Sequence, residues 1–416
     1  MPLLRMPYPN DRDRSRAYLS QSWERTWLCW AAAWALCLVG PNAFADPPPG
    51  TTLSNLGAWQ SLPDIPVKLG LGGPVVGVSN GALVVAGGAN FPEGPPWSEP
   101  PGKKRWHREI FALVDTNGGW RAAGQLPVNL AYAATVPWRD GFLIIGGEED
   151  GTAVDTVYFC RFEREEYRCS VTHICNMPVA ASYLSACRVA GGETIYVAAA
   201  TRSGNFPCMD VKHFWRLEFD DPSEPTWTRL PPWPGAARHK AMLVALGNAD
   251  GNPDVDRAVY LFGGERPCVD ESGQPMLDRF EYLTDAYRYR ESDEWSRMAE
   301  LPVHDGGDGR YAGQRRPIAA AACVALDARR FAVFSGDTGR YVTQPLDDRP
   351  DFPTDILVYD RQLDQWQAAG RMPRGVVTTT AVWWQKKIVI PSGELRPAIR
   401  TPQVIAVMPD GGDTAQ

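Results

Sequence analysis

The segment Ser392-Gly393-Glu394-Leu395-Arg396-Pro397-Ala398-Ile399-Arg400 puts one carboxylate and two guanidinium groups in a single loop near the end of a 416-residue chain. A carboxylate beside two arginines can bind an anion and move a proton at the same centre, because the guanidinium fork grips an anionic oxygen pair while the acid takes or returns a proton. Without a ligand the same residues would make a surface ion pair, which contributes little. Glu394 also has counterparts along the chain. Asn90, Glu148, Arg202, Glu265 and Asp337 likewise stand just past a pair of small residues that ends an apolar run. If those runs are equivalent strands, the six positions share one mouth, and Asn90 and Glu148 join Glu394 as candidates for contacting a ligand. A role in capping the turn explains an acid at such a place equally well.

The elements that must position these residues recur six times. Each copy has an apolar strand ending in a small pair, a later strand, and an aromatic residue that closes on a Pro-containing turn. The pairs are Gly87-Gly88, Gly146-Gly147, Ala199-Ala200, Gly263-Gly264, Ser335-Gly336 and Ser392-Gly393. The closing aromatics are Trp59, Trp120, Tyr167, Trp227, Trp295 and Trp366. From Gly88 to Gly147, Ala200, Gly264, Gly336 and Gly393 the steps are 59, 53, 64, 72 and 57 residues, a little above the kelch period of about 50. A kelch unit is one four-stranded blade of a β-propeller, which cannot bury its faces alone and closes into a ring. The expected fold is therefore all-β, a six-bladed kelch-type propeller over residues 57–408. In the first blade the strands fall near 73–78, 82–86, 109–114 and 119–123. The small pairs belong where a side chain would collide with the neighbouring blade, and the closing aromatics belong to packing between blades.

The last copy lacks a closing aromatic, while Gly57-Ala58-Trp59-Gln60-Ser61-Leu62-Pro63 is a closing strand with no blade before it. The two halves fit, so the N-terminal strand is expected to complete the sixth blade and remove the open edges. Long insertions at 90–108, 266–283 and 338–354 follow the second strands. In a propeller such loops gather on one face, which is usually the binding face.

Five Arg precede the apolar run Trp27 to Gly40, and Ala43-Phe44-Ala45 supplies a small-x-small cleavage pattern, so residues 1–45 read as a signal peptide and the exported chain begins at Asp46. Residues 46–56 are a short linker and 409–416 a polar tail, and after cleavage no segment is expected to span a membrane. The net charge of −7 disfavours a nucleic-acid partner, which needs a basic face. Seven of the nine cysteines remain after the signal, an odd number. A two-residue turn at Arg164-Glu165 would set Cys160 opposite Cys169 and allow a cross-strand disulfide. Only five His are present and no C-x-x-C pairs, so a metal centre is not expected.

Residues 393–401, Gly-Glu-Leu-Arg-Pro-Ala-Ile-Arg-Thr, resemble the Gly-Glu-x-Lys-Pro-x-x-Arg-Thr signature of the bacterial N-acetylneuraminate epimerase family, the kelch-type sialic acid mutarotases. Gly87-Gly88-Ala89-Asn90-Phe91, Gly102-Lys103-Lys104 and Leu143-Ile144-Ile145-Gly146-Gly147-Glu148 have close counterparts there too. Segments similar to the C-terminal region of the family stand first in this chain and the Glu394 loop stands last, as in a cyclically permuted branch. A closed ring tolerates such a rearrangement because its ends are adjacent. The resemblance implies Glu394 as proton acceptor with Arg400 as its partner, and Arg238 falls where another blade of the family has a Pro-Arg pair. Arg396, like Arg400, could hold a substrate carboxylate, and Asn90, Lys103 and Glu148, in the segments with family counterparts, are candidate substrate contacts. It departs at Leu130, where family members commonly carry Arg before the equivalent of Ala131-Tyr132.

The activity so implied interconverts the anomers of a sialic acid, an acidic small-molecule sugar, with no metal, nucleotide or redox cofactor. A non-catalytic carbohydrate-binding propeller would present a similar mouth. A copper radical oxidase on the same scaffold would need clustered His and Tyr ligands, against the scattered His here. The sequence does not bear on oligomeric state.

Overall fold

The computed structural model describes residues 56–189, 192–203, 207–219, 225–247, 257–303 and 314–409. The expected signal peptide lies outside them, as do the linker and tail apart from Leu56 and Pro409. The described chain is all-β and consistent with a β-propeller. Six four-stranded antiparallel sheets account for its framework. The first contains Val75–Ser79, Ala82–Ala86, Glu109–Leu113 and Arg121–Gln125, close to the strands read from the sequence. In each sheet the second strand is apolar and mostly buried and the outermost is more exposed; Ala82–Ala86 is buried throughout, whereas Arg121–Gln125 buries only Ala123.

Six backbone hydrogen bonds link the sheets in a cycle. The N–H of Gly73 donates to Thr378 at 2.7 Å, Tyr132 to Gly73 at 2.9 Å, Tyr183 to Tyr132 at 3.0 Å, Lys240 to Tyr183 at 2.9 Å, Ala320 to Lys240 at 2.8 Å and Thr378 to Ala320 at 2.9 Å. All six residues take a left-handed conformation, with φ between 52° and 61°. For Tyr, Lys, Ala and Thr that conformation costs energy, and the returning hydrogen bonds compensate it. The cycle stands where the innermost strands begin. Those strands surround a cavity of about 760 Å³, lined from every sheet by residues such as Val76, Val136, Ala186, Val244, Val324 and Val382.

The sixth sheet is assembled from both ends of the described chain. Leu56–Leu62 pairs antiparallel with Val404–Pro409, Trp59 facing Val407 and Ser61 facing Ile405. The closing aromatics do pack: the indole N–H groups of Trp120, Trp295 and Trp366 donate to the carbonyls of Pro63, Pro231 and Ala299, each in the linker leaving the preceding sheet.

The small pairs also behave as expected, with one exception. A Cβ on Gly87 would stand 2.2 Å from the Leu130 carbonyl oxygen, and its φ of 58° turns the chain out of the strand. Ser335 and Ser392 adopt the same left-handed turn at φ 63° and 59°. Ala199-Ala200 does not end a strand; Ile195–Thr201 runs straight through the pair. Arg202 therefore has no turn to follow.

The expected Cys160–Cys169 disulfide is absent. The turn has four residues, with Glu163 paired to Arg168, so Cys160 faces Val171 and Cys169 faces Phe162. The cause is Tyr167, which sits in the turn at φ 48° and reaches back to the first sheet, donating its hydroxyl to the Ala112 carbonyl under the Arg121 guanidinium. Cys208 is instead bonded to Cys268, across 60 residues, while Cys160, Cys169, Cys175, Cys187 and Cys323 are free thiols. Non-reducing peptide mapping should find Cys208 joined to Cys268 and alkylatable thiols at Cys160 and Cys169; a 160–169 crosslink would contradict this register.

Candidate active site at the ring mouth

Glu394–Arg396 and Ile399–Arg400 form a short hairpin in which Glu394 and Arg400 are directly opposed. Side chains paired this way lie on one face. Arg400 Nη2 donates to Glu394 Oε1 at 3.2 Å, the Thr378 hydroxyl to the same oxygen at 3.2 Å, and the Ala398 N–H to Oε2 at 3.2 Å. Gly72 makes the packing possible, since a Cβ there would lie 2.9 Å from both Arg400 Nε and Glu394 Oε1. The Arg400 side chain is only 4 % exposed and stacks on the Phe91 ring at 4.7 Å. Its Nε and Nη1 have no hydrogen-bond partner. Two buried, charged donors without an acceptor are costly, and an anionic group would satisfy them.

A second acid centre comes from the fourth sheet. Glu265 is 1 % exposed and pairs with Lys240 Nζ at 2.6 Å and His239 Nε2 at 2.8 Å. Burial alone would raise its pKa, but Lys240 and His239 outweigh burial and hold it at about 2. Burial opposes the Lys240 charge in turn, and Glu265, helped by Asp337 and Glu394, raises it to about 12. Burial lowers the pKa of His239. Asp337 is shifted upward by burial and by the charge of Glu265, and it accepts from the Tyr282 hydroxyl at 2.8 Å.

Glu148, in a short strand just past the second sheet, pairs with Lys104 at 3.5 Å and accepts from the Trp106 indole at 3.0 Å. Lys104 Nζ stands 4.5 Å from the Tyr132 ring centre, and Tyr132 stacks on Tyr183 at 4.2 Å. Burial, followed by the charges of Tyr132, Glu148 and Glu394, keeps the Tyr183 hydroxyl protonated well above its ordinary range. Acids, cations and aromatic faces thus gather around the hydrogen-bonded ring.

Not every expected residue arrives there. Lys103 is exposed and its neighbour Lys104 takes the place. The register puts Ala89, not Asn90, level with Glu148, because Ala89 bridges Gly72 as Glu148 bridges Ala131. Asn90 is buried and occupied, donating to the Gly70 carbonyl and bonded to His107. Arg396 turns outward to the Asp347 carbonyl. The Arg238 side chain is fully buried, its guanidinium spent on Asp285 at 2.7 and 2.8 Å and on the carbonyls of Gly263 and Ala236. Leu130 is core. Tyr132, Tyr183, Lys240 and His239 were missed by the sequence reading. For three of them the signal is positional: Tyr132 and Lys240 immediately follow Ala131 and His239, the partners of Glu148 and Glu265, and His239 is itself such a partner.

Together the fold and the site define an all-β repeat protein with a protic, aromatic-floored mouth suited to a small anionic ligand. Residues 50–168 match the family model for N-acetylneuraminate epimerase. The N-acetylneuraminate epimerase of Haemophilus influenzae (strain PittEE) is 41% identical over 105 residues, 22% of this chain and 28% of that protein. N-acetylneuraminate epimerase 1 of Escherichia coli O6:H1 is 36% identical over 111 residues, 25% and 29% of the two chains. That of Pasteurella multocida is 34% identical over 134 residues, 27% and 35%. The match thus spans about a third of these relatives' length. The family-model stretch includes Lys104, Tyr132 and Glu148 but not Glu394 or Arg400.

Proposed function

We propose that this chain is a sialic acid mutarotase, built as a six-bladed kelch propeller whose last blade is completed by the N-terminal strand. The six sheets and the cyclic hydrogen bonds support the ring. The pairing of Leu56–Leu62 with Val404–Pro409 supports a cyclic permutation, because the family-matching part comes first and the Glu394 hairpin last.

The observation that carries the activity is Glu394 beside the two unpartnered donors of Arg400. Arg400 holds the carboxylate on the anomeric carbon through one of its unpartnered N–H groups, Nε or Nη1, while Nη2 stays on Glu394, a division of planar donors that lysine cannot reproduce. Glu394 takes the proton of the anomeric hydroxyl and delivers it to the ring oxygen; the bond between that oxygen and the anomeric carbon breaks and a ketone forms. Rotation presents the other carbonyl face, and the reverse proton transfers close the ring. Tyr132 and Tyr183 supply an apolar floor for the sugar, with Lys104 and Lys240 on either side. Exchange spectroscopy on equilibrated N-acetylneuraminate tests this: a mutarotase accelerates interconversion of the anomer signals, whereas a carbohydrate-binding propeller shifts or broadens them and leaves the rate unchanged.

Arg400→Ala is expected to weaken sugar binding by about tenfold or more, the effect of losing a charged hydrogen bond, with Arg400→Lys recovering part of it. Titration of both variants checks the assignment, and unchanged affinity in Arg400→Ala would remove Arg400 from the carboxylate site. We also infer export, with Asp46 as the first residue of the mature protein. Intact mass from the native envelope decides it, a species retaining Met1 contradicting cleavage.

A further inference from the structure

The 338–354 insertion is fastened to the Glu394 hairpin: the Phe352 N–H donates to the Leu395 carbonyl at 2.7 Å, and Arg396 reaches Asp347 at 3.5 Å. Beside the mouth, a cavity of about 280 Å³ is walled by Pro397 of the hairpin turn, by Asp337 and Tyr282, and by Arg340, Tyr341 and Arg349 of the insertion. Arg316, Phe352 and the carboxylates of Asp351 and Asp355 also line it. Arg316 is 9 % exposed, pairs with Asp355 at 2.7 Å through Nη1, and leaves Nε without a hydrogen-bond partner. Arg349 is anchored by the carbonyls of Gln344 and Val342 and pairs with no carboxylate among the described residues. Arg340 lies 5.0 Å from the Tyr341 ring centre.

Fixed guanidinium groups in a concave wall select a carboxylate-sized anion. The aromatic faces of Tyr282, Tyr341 and Phe352 add apolar surface, which an inorganic anion would not use and the C–H face of a sugar would. We propose that this side cavity is a second acidic-sugar subsite, next to the mouth and distinct from the Glu394–Arg400 centre. The inference rests on the reading of the mouth as an acidic-sugar site. The carboxylate-bearing unit comes either from the second residue of an acidic disaccharide whose reducing end sits at Glu394, or from a second free monosaccharide.

The test is calorimetric titration of wild type and of the double variant Arg340→Ala/Arg349→Ala with N-acetylneuraminate and with its 2→8-linked dimer. If the unit belongs to one saccharide, wild type binds the dimer about tenfold or more tighter than the monomer. If it is a second free sugar, wild type takes up two monomers per chain. In either case the double variant loses the added affinity or the second site, while its exchange rate on the monomer stays within about twofold of wild type, as expected for separated sites. One monomer per chain with no gain for the dimer overturns the subsite. So does a folded double variant that binds as wild type does, or one that loses monomer exchange. Should the double variant misfold, Arg349→Gln is judged by the same outcomes. Absence of exchange in wild type would sink the mutarotase reading alone, because the binding comparison remains readable.

Discussion

Glu394→Gln is expected to fold, to bind N-acetylneuraminate, and to lose about 100-fold to 10,000-fold in anomer exchange, the span that a positioned general acid-base group contributes. The amide keeps the size of the side chain and retains an oxygen for the Arg400 and Thr378 donors that now meet Oε1. It cannot accept the anomeric proton. The readouts are exchange rate and affinity measured on the same preparation. Near-wild-type exchange by a folded Glu394→Gln protein would remove Glu394 from the mechanism and shift attention to Glu148 and Glu265, the other acids at the mouth.

Glu265→Gln should act on stability instead, lowering it by about 3 kcal/mol at neutral pH, because it leaves Lys240 charged beside a buried neutral group. The Glu265 carboxyl is held below its ordinary value, so its contribution is present above pH 4.5 and is lost as pH falls towards about 2. Lys240 is raised, so its share is present below its ordinary value of 10.5 and is lost as pH rises through about 12. The variant should therefore show a flatter acid limb in its denaturation midpoint than wild type. Equal midpoints for the two proteins at pH 7, or parallel acid limbs, would show that the Glu265–Lys240 pair is not a stabilising element.

Much of this arrangement was legible in the chain because its causes are local. The small pairs mark where the chain leaves a crowded inner strand, and Gly57 to Pro63 reads as a closing strand because its aromatic and turn match those of the other copies. Glu394 and Arg400 were legible as a pair since a short hairpin fixes their register. What escaped depends on distant partners. Tyr132, Tyr183 and Lys240 adopt left-handed backbone conformations that their side chains disfavour, and only the cyclic hydrogen bonds between sheets hold them there. No local propensity announces this. Arg238 looked available because Asp285, which consumes it, stands 47 residues away. Lys103 and Asn90 each missed by one position; Asn90 lies in a strand, where one position reverses the face. Tyr167 shows the same limit, since its hydrogen bond to the first sheet lengthened the turn and undid the expected cysteine pairing.

The central claim is tested most directly by releasing N-acetylneuraminate as its α anomer with a sialidase and following one-dimensional proton NMR with and without the protein. Catalytic amounts of wild type are expected to bring the α and β signals to equilibrium much faster than the spontaneous reaction, and Glu394→Gln is expected not to. A wild-type time course that overlays the spontaneous one, from a protein shown to bind the sugar, would contradict the claim.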